Sequence, residues 1–165
     1  MLVIGIDPGT AITGFGILEE QPGGGIRAID YGVIRTKTEQ SQPERLLALQ
    51  QDLLRLVLKY QPAEAAVEKL FFQKNVKTAL AVGEARGVVL LTLAMHHIPL
   101  AEYTPSDVKQ TVVGYGAAEK KQVQFMVTEL LKLESIPQPD DAADALAIAL
   151  CHLHHYKYRD LAGLR

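Results

Sequence analysis

Cysteine is almost missing from this chain: Cys151 is the only one among 165 residues. That excludes an internal disulfide framework and a cysteine-rich zinc site. Long apolar runs are missing too. The longest, Gly87 to Met95, falls well short of the roughly 20 residues a membrane helix needs. No basic segment followed by an apolar one opens the sequence, so no secretory signal is expected and the cytoplasm is the expected location. Neither sign of charge dominates. Seventeen Lys and Arg stand against 19 Asp and Glu, a net charge of −2, which on its face argues against a nucleic-acid ligand. No internal repeat or low-complexity linker interrupts the chain. What remains, 48% hydrophobic and 22% charged, describes a soluble globular protein of a length suited to one domain with a sizeable core.

The pattern of apolar residues predicts the elements. Met1–Asp7, Thr13–Glu19 and Ile26–Thr36 read as strands, the last two joined by the hairpin chemistry of Gln21-Pro22-Gly23-Gly24-Gly25. A leucine stripe predicts a helix over Glu44–Tyr60. Ala63–Lys69 reads as a short buried strand, Val76–Met95 as a long helix and Ile98–Tyr103 as a fifth strand. Thr104-Pro105-Ser106-Asp107 is a helix start. Ala117–Leu133 is amphipathic, and a final helix spans Asp140–Tyr156. The order β-β-β-α-β-α-β-α-α implies an α/β fold, a five-stranded mixed sheet with helices on both faces. Residues 1–156 form the expected single domain and 157–165 a short C-terminal tail.

Asp7 is the anomaly in this pattern. A β-branched run, Leu2 to Ile6, ends in a carboxylate and turns at once through Pro8-Gly9-Thr10. An ionised carboxylate buried without a partner costs several kcal/mol. Glu68 ends Ala63–Lys69 in the same manner, and Asp141 and Asp144 share a face at i, i+3 in the last helix. Each has a plain alternative. Asp140 or Asp141 suits an N-cap, Asp7 suits the turn that follows it, and Glu68 suits a surface pair with Lys69. The alternatives fail together at Asp144, which lies in the apolar stretch AADALAIAL. Four such acids cannot share a site while all ionised unless cations neutralise them. Carboxylates are ligands for Mg²⁺ or Mn²⁺, and two such ions about 4 Å apart clamp the oxygens of a phosphodiester.

These segments resemble a known family. GIDPGT followed by GFGIL, then VEKLFFQKN, VKQTVVGYGAAEKKQV and DDAADALAIA together look like the RuvC family of Holliday junction resolvases, in order from Val3 to about His152. The first motif alone is shared with actin-like ATPases; the four in series are not. The resemblance implies an RNase H-like nuclease domain acting in DNA recombination and repair. It implies an acid tetrad of Asp7, Glu68, Asp141 and Asp144, holding two Mg²⁺ ions, with Mn²⁺ an alternative. It also implies paired nicks in a four-way DNA junction, a homodimer, and RuvA and RuvB as branch-migration partners. Two adjacent aspartates stand where the family motif has one ligand. The spacing to Asp-Ala-Leu matches Asp141, which leaves Asp140 as an N-cap or a supporting residue. The competing functions are an RNase H-type or YqgF-like nuclease acting on RNA, and a junction-binding scaffold without catalysis.

With the four acids set aside as ligands, each one negative, the net charge changes from −2 to +2. Lys69, Lys74 and Lys77 follow Glu68, and Lys109, Lys120 and Lys121 flank Val112–Ala118. Such lysines are solvated helix surface or phosphate contacts. The resemblance puts Lys109 and Lys120 on DNA phosphates at the active site and gives Lys121 no such role. Phe71, three residues beyond Glu68, is a core residue or a wedge against DNA bases; the resemblance favours the wedge. The five histidines match no zinc spacing and read as structural or solvated, and Cys151 as a small core residue. The second half of Val76–Met95 is apolar on nearly every face, which predicts burial on all sides, part of it against a second copy in a C₂ dimer.

Overall fold

The structure, a computed structural model, describes residues 1–70 and 76–161. Among these residues the elements run β1 (Leu2–Asp7), β2 (Ile12–Glu20), β3 (Ile26–Arg35), α1 (Gln42–Tyr60), β4 (Glu64–Glu68), α2 (Val76–Met95), β5 (Leu100–Tyr103), α3 (Pro105–Val113), α4 (Lys120–Leu131) and α5 (Asp140–Leu161). The helix that starts at Pro105 closes at Gly114, whose φ of 84° is in the left-handed region. Three helices therefore follow β5, one more than the expected order, and α5 runs on past Tyr156 to Leu161.

The five strands form one sheet in the order β3-β2-β1-β4-β5. β1, β2 and β3 are antiparallel neighbours, while β4 joins β1 and β5 joins β4 in parallel. Alternation along the strands then sorts side chains into two cores. Val3, Leu18 and Ala66 point toward α3, α4 and α5. Ile4, Ile6, Ile17, Ala65 and Val67 point toward α1 and α2.

Helix α5 lies unusually close to the sheet. A Cβ on Gly5 would stand 2.2 Å from the Ala145 carbonyl oxygen, and one on Gly14 would stand 2.0 Å from that of Asp141. Only glycine leaves room for that approach, and the helix answers with Ala142, Ala143, Ala145 and Ala149, all buried. Farther along, buried His152 joins α5 to two strands. Its Nε2 is 2.7 Å from Glu64 Oε2 and its Nδ1 is 3.0 Å from the Tyr103 hydroxyl.

Helix α2 is seated differently. Ala85, Val89 and Leu93 fill the opposite core, and Arg86 pairs with Glu102 on β5. Its outer side keeps Leu80, Leu91 and Met95 at 65%, 60% and 64% exposure. Within the chain, the expected burial on every side is not met. Among the described residues no helix is long and apolar enough to cross a membrane.

Candidate active site

Strand geometry alone brings the first two acids together. The parallel register sets Ile6 level with Val67, so Asp7 and Glu68 end neighbouring strands side by side. The period of two turns both toward α5, the direction taken by Val3 and Ala66. Behind Asp7 the turn is closed locally: the Thr13 hydroxyl donates to the Gly9 carbonyl at 2.7 Å and accepts from the Gly9 N–H at 3.2 Å. The other two acids arrive on α5. The Asp141 backbone rests on Gly14, and Gly14 is the strand partner of Asp7. Asp144 follows almost one turn later, over Glu68.

Their charges interact. Burial, then Glu68, Asp144 and Asp141, push the Asp7 carboxyl from 3.8 up to about 8, with Lys120 acting the other way. Burial and Asp144 raise Glu68, while contact with Asp7 and the charges of Lys120 and Lys109 oppose the rise. Burial also raises Asp144. Lys120 on α4 supplies the main countercharge. Its Nζ is 2.8 Å from Asp144 Oδ2 and 3.1 Å from Asp140 Oδ2, and these partners lift its own pKa against the effect of burial. Asp140 is the first residue of α5, and its lowered pKa comes first from Lys120. It thus shares with Asp144 the ammonium of Lys120.

Among the described residues no three His, Cys, Asp or Glu side chains are gathered so that they could hold a metal ion as they stand. Negative charge is met instead by Lys120, while burial and the neighbouring acids raise the Asp7 carboxyl. The donor set nonetheless fits a hard divalent cation: it is all carboxylate oxygen, and it is short of positive charge at its buried end.

Glu68, Asp144, Lys109 and Lys120 line one cleft, whose floor includes Val108, Val123 and Ile148. Lys109 is carried there by α3. That helix starts with a reciprocal cap: the Asp107 N–H donates to Thr104 Oγ1 at 3.1 Å, and the Thr104 N–H donates to Asp107 Oδ2 at 2.8 Å. The structure thus brings together Asp7, Glu68, Asp144, Lys120 and Lys109, with Asp141 on the adjoining side. Phe71 and Lys74 lie outside the described residues. No histidine lines this cleft, and Cys151 is a buried residue whose thiol burial pushes up to about 11. Sequence reasoning missed the roles of Gly5 and Gly14, although the alternating glycines of GIDPGT and TGFG were the available signal.

Comparison with known proteins agrees with this geometry. The family model of the crossover junction endodeoxyribonuclease RuvC matches residues 3–152. A relative of that name from Syntrophomonas wolfei is 53% identical over 157 residues, covering 95% of this chain and 91% of its own. Another, from Roseiflexus sp., is 58% identical over 151 residues, covering 92% and 89%. Among solved structures, RuvC of T. thermophilus in complex with a Holliday junction substrate superposes with a TM-score of 0.87 at 32% identity, covering 96% of each chain. The fold is the RNase H-like fold expected from the sequence. A resolvase from yeast mitochondria, 17% identical with a TM-score of 0.64, shares that fold. The chain belongs to the RuvC family of crossover junction endodeoxyribonucleases.

Proposed function

We propose that this protein resolves four-way DNA junctions by paired, symmetric, metal-dependent nicks, in homologous recombination and DNA repair. The observation that carries it is the convergence of Asp7, Glu68, Asp141 and Asp144 at one end of the sheet, where burial and mutual repulsion push the Asp7 carboxyl up to about 8. A protein keeps so costly a cluster for a cation. Asp7, Glu68, Asp141 and Asp144 are the residues to hold two Mg²⁺ ions, with Mn²⁺ an alternative. Once bound, the ions supply Lewis-acid activation of water and neutralise charge on the phosphodiester.

The chain's own residues do the rest. Asp7 would hold the cation as a carboxylate, which the cation's charge favours over the protonated form. Lys120 and Lys109, which line the cleft with Glu68 and Asp144, meet phosphate charge. Phe71, three residues beyond Glu68 in sequence, is the candidate wedge against junction bases. The exposed side of α2, with Leu80, Leu91 and Met95, suits a second copy, and a C₂ homodimer would present two sites to the two equivalent strands of a junction. A cytoplasmic location and partnership with RuvA and RuvB complete the proposal.

The direct test offers purified protein a labelled mobile four-way junction, with Mg²⁺ or with EDTA. Paired nicks requiring the cation are expected, together with no preference for an RNA–DNA hybrid. Glu68→Gln keeps the shape and removes a charge. Cleavage should fall by orders of magnitude while junction binding in EDTA survives. A variant that still nicks at the wild-type rate would remove Glu68 from the chemistry.

A further inference from the structure

A second cleft, of about 540 Å³, opens on the other side of the acids from Lys109 and Lys120. It is lined by Gly9, Thr10, Ala11, Arg45, Val82 and Asp141, among others. Among the described residues no lysine lines it, and the cation that does is Arg45 of α1, whose side chain the fold holds in place. Arg45 Nε donates to Thr36 Oγ1 at 2.9 Å. The Thr36 hydroxyl in turn donates to the Thr10 carbonyl at 2.6 Å, and the Thr10 hydroxyl donates to the Ala81 carbonyl at 2.7 Å. One chain of hydrogen bonds thus ties the guanidinium to the residue just after β3, to the turn after Asp7 and to α2.

Helix stability does not explain an arginine here. Arg45 lies in the first turn of α1, after the Ser41 cap, where the helix dipole disfavours a cation. Nor does it neutralise an acid: among the described residues no carboxylate lies within ion-pair distance of it. With Nε spent on Thr36, the two terminal nitrogens remain as a planar fork, the geometry that grips a phosphate through paired hydrogen bonds.

We propose that Arg45 is a second phosphate clamp, gripping the cleaved DNA strand on the side of the scissile phosphate opposite to Lys109 and Lys120. This rests on the junction-nuclease reading above and adds direction to it. The acids lie between two cationic walls, so the strand is held on both flanks of the bond that breaks.

The test measures junction affinity in EDTA by fluorescence anisotropy across a salt series. Arg45→Gln should weaken binding about tenfold, and the slope of log affinity against log salt should become shallower by about 0.9, the value of one phosphate contact. Arg45→Lys should keep the wild-type slope and recover only part of the affinity, since it retains charge without the fork. A well-folded Arg45→Gln protein with the wild-type slope would show that Arg45 is only a clip on Thr36. Should Arg45→Gln fail to fold, Arg45→Lys decides alone, and full wild-type affinity there overturns the assignment. Wild-type protein that neither binds nor nicks junctions sinks the functional reading itself. Wild-type protein that nicks, with Arg45→Gln unaltered in slope, sinks only the clamp.

Discussion

Helices α2 and α5 look alike as sequences, both long and rich in alanine and leucine, yet they use their apolar residues in opposite ways. From Ala142 to Leu153, α5 is buried almost without a break except at Asp144. It achieves this inside one chain, because glycines in β1 and β2 let it settle onto the backbone of the sheet. Helix α2 buries one side and leaves Leu80, Leu91 and Met95 in water. The difference separates two tasks. One helix uses its apolar surface to fix the height of two carboxylates; the other leaves part of its surface uncovered by its own chain.

The sharpest way to break the contrast is to lift α5. Gly14→Ala would place a methyl carbon 2.0 Å from a backbone oxygen that cannot rotate away. Overpacking of this kind costs about 1–3 kcal/mol or more. Cleavage should fall far more than stability, since the same shift carries Asp141 away from Asp7; metal titration of the folded variant will show the loss. A Gly14→Ala protein with full activity would mean that the seat is soft.

Helix α2 offers the matched pair Leu91→Glu and Leu93→Glu. Leu93 is fully buried, so a charge there should unfold the protein at a cost of several kcal/mol. Leu91 is exposed, and its replacement should leave each chain's melting temperature nearly unchanged. If this side meets a second copy, sedimentation will show Leu91→Glu as a monomer and the paired nicks will become uncoupled. Dimers that persist in Leu91→Glu would move the interface elsewhere.

A smaller effect concerns the acids that α5 supplies and faces. In metal-free protein the Asp7 carboxyl titrates near 8 when folded and near 3.8 when unfolded. The folded state therefore binds the extra proton between those values, and stability should fall as pH rises from about 4 to about 8, by a few kcal/mol in order of magnitude. Glu68 and Asp144 are raised as well and act in the same direction. Thermal melts in EDTA should show this slope in wild type and a flatter one in Asp7→Asn. The smallest effect is expected of Asp140→Asn. Lys120 keeps Asp144 at 2.8 Å, so cleavage should change a few-fold at most, read in the same junction assay.

The acids were legible from sequence because a carboxylate at the end of a buried strand violates the expected pattern, and Asp7 and Glu68 do so twice. Position within an element was legible for α3, where Thr104 and Asp107 form the cap their spacing implies. Asp140 was harder. Its partner Lys120 is twenty residues away on another helix, and no local pattern reports such a contact. The seat of α5 was invisible for a different reason. A glycine in a strand ordinarily signals weakness, and only the approaching helix turns Gly5 and Gly14 into fitted surfaces. For α2, composition registered how apolar the helix is but not how much of it the chain itself could cover.

The sheet order has a consequence for when activity can first appear. β1 pairs in parallel with β4, and the remaining acids come from α5, so Asp7 waits for partners 61 and 137 positions later in the chain. A growing polypeptide that has released only its first hairpin lacks three of the four carboxylates, and one that has released its whole sheet still lacks two. Contacts of such long range form late in folding. On the proposed assignment of the four acids, nuclease chemistry would be withheld until the last helix has docked, and a truncated product of interrupted synthesis would not cut DNA.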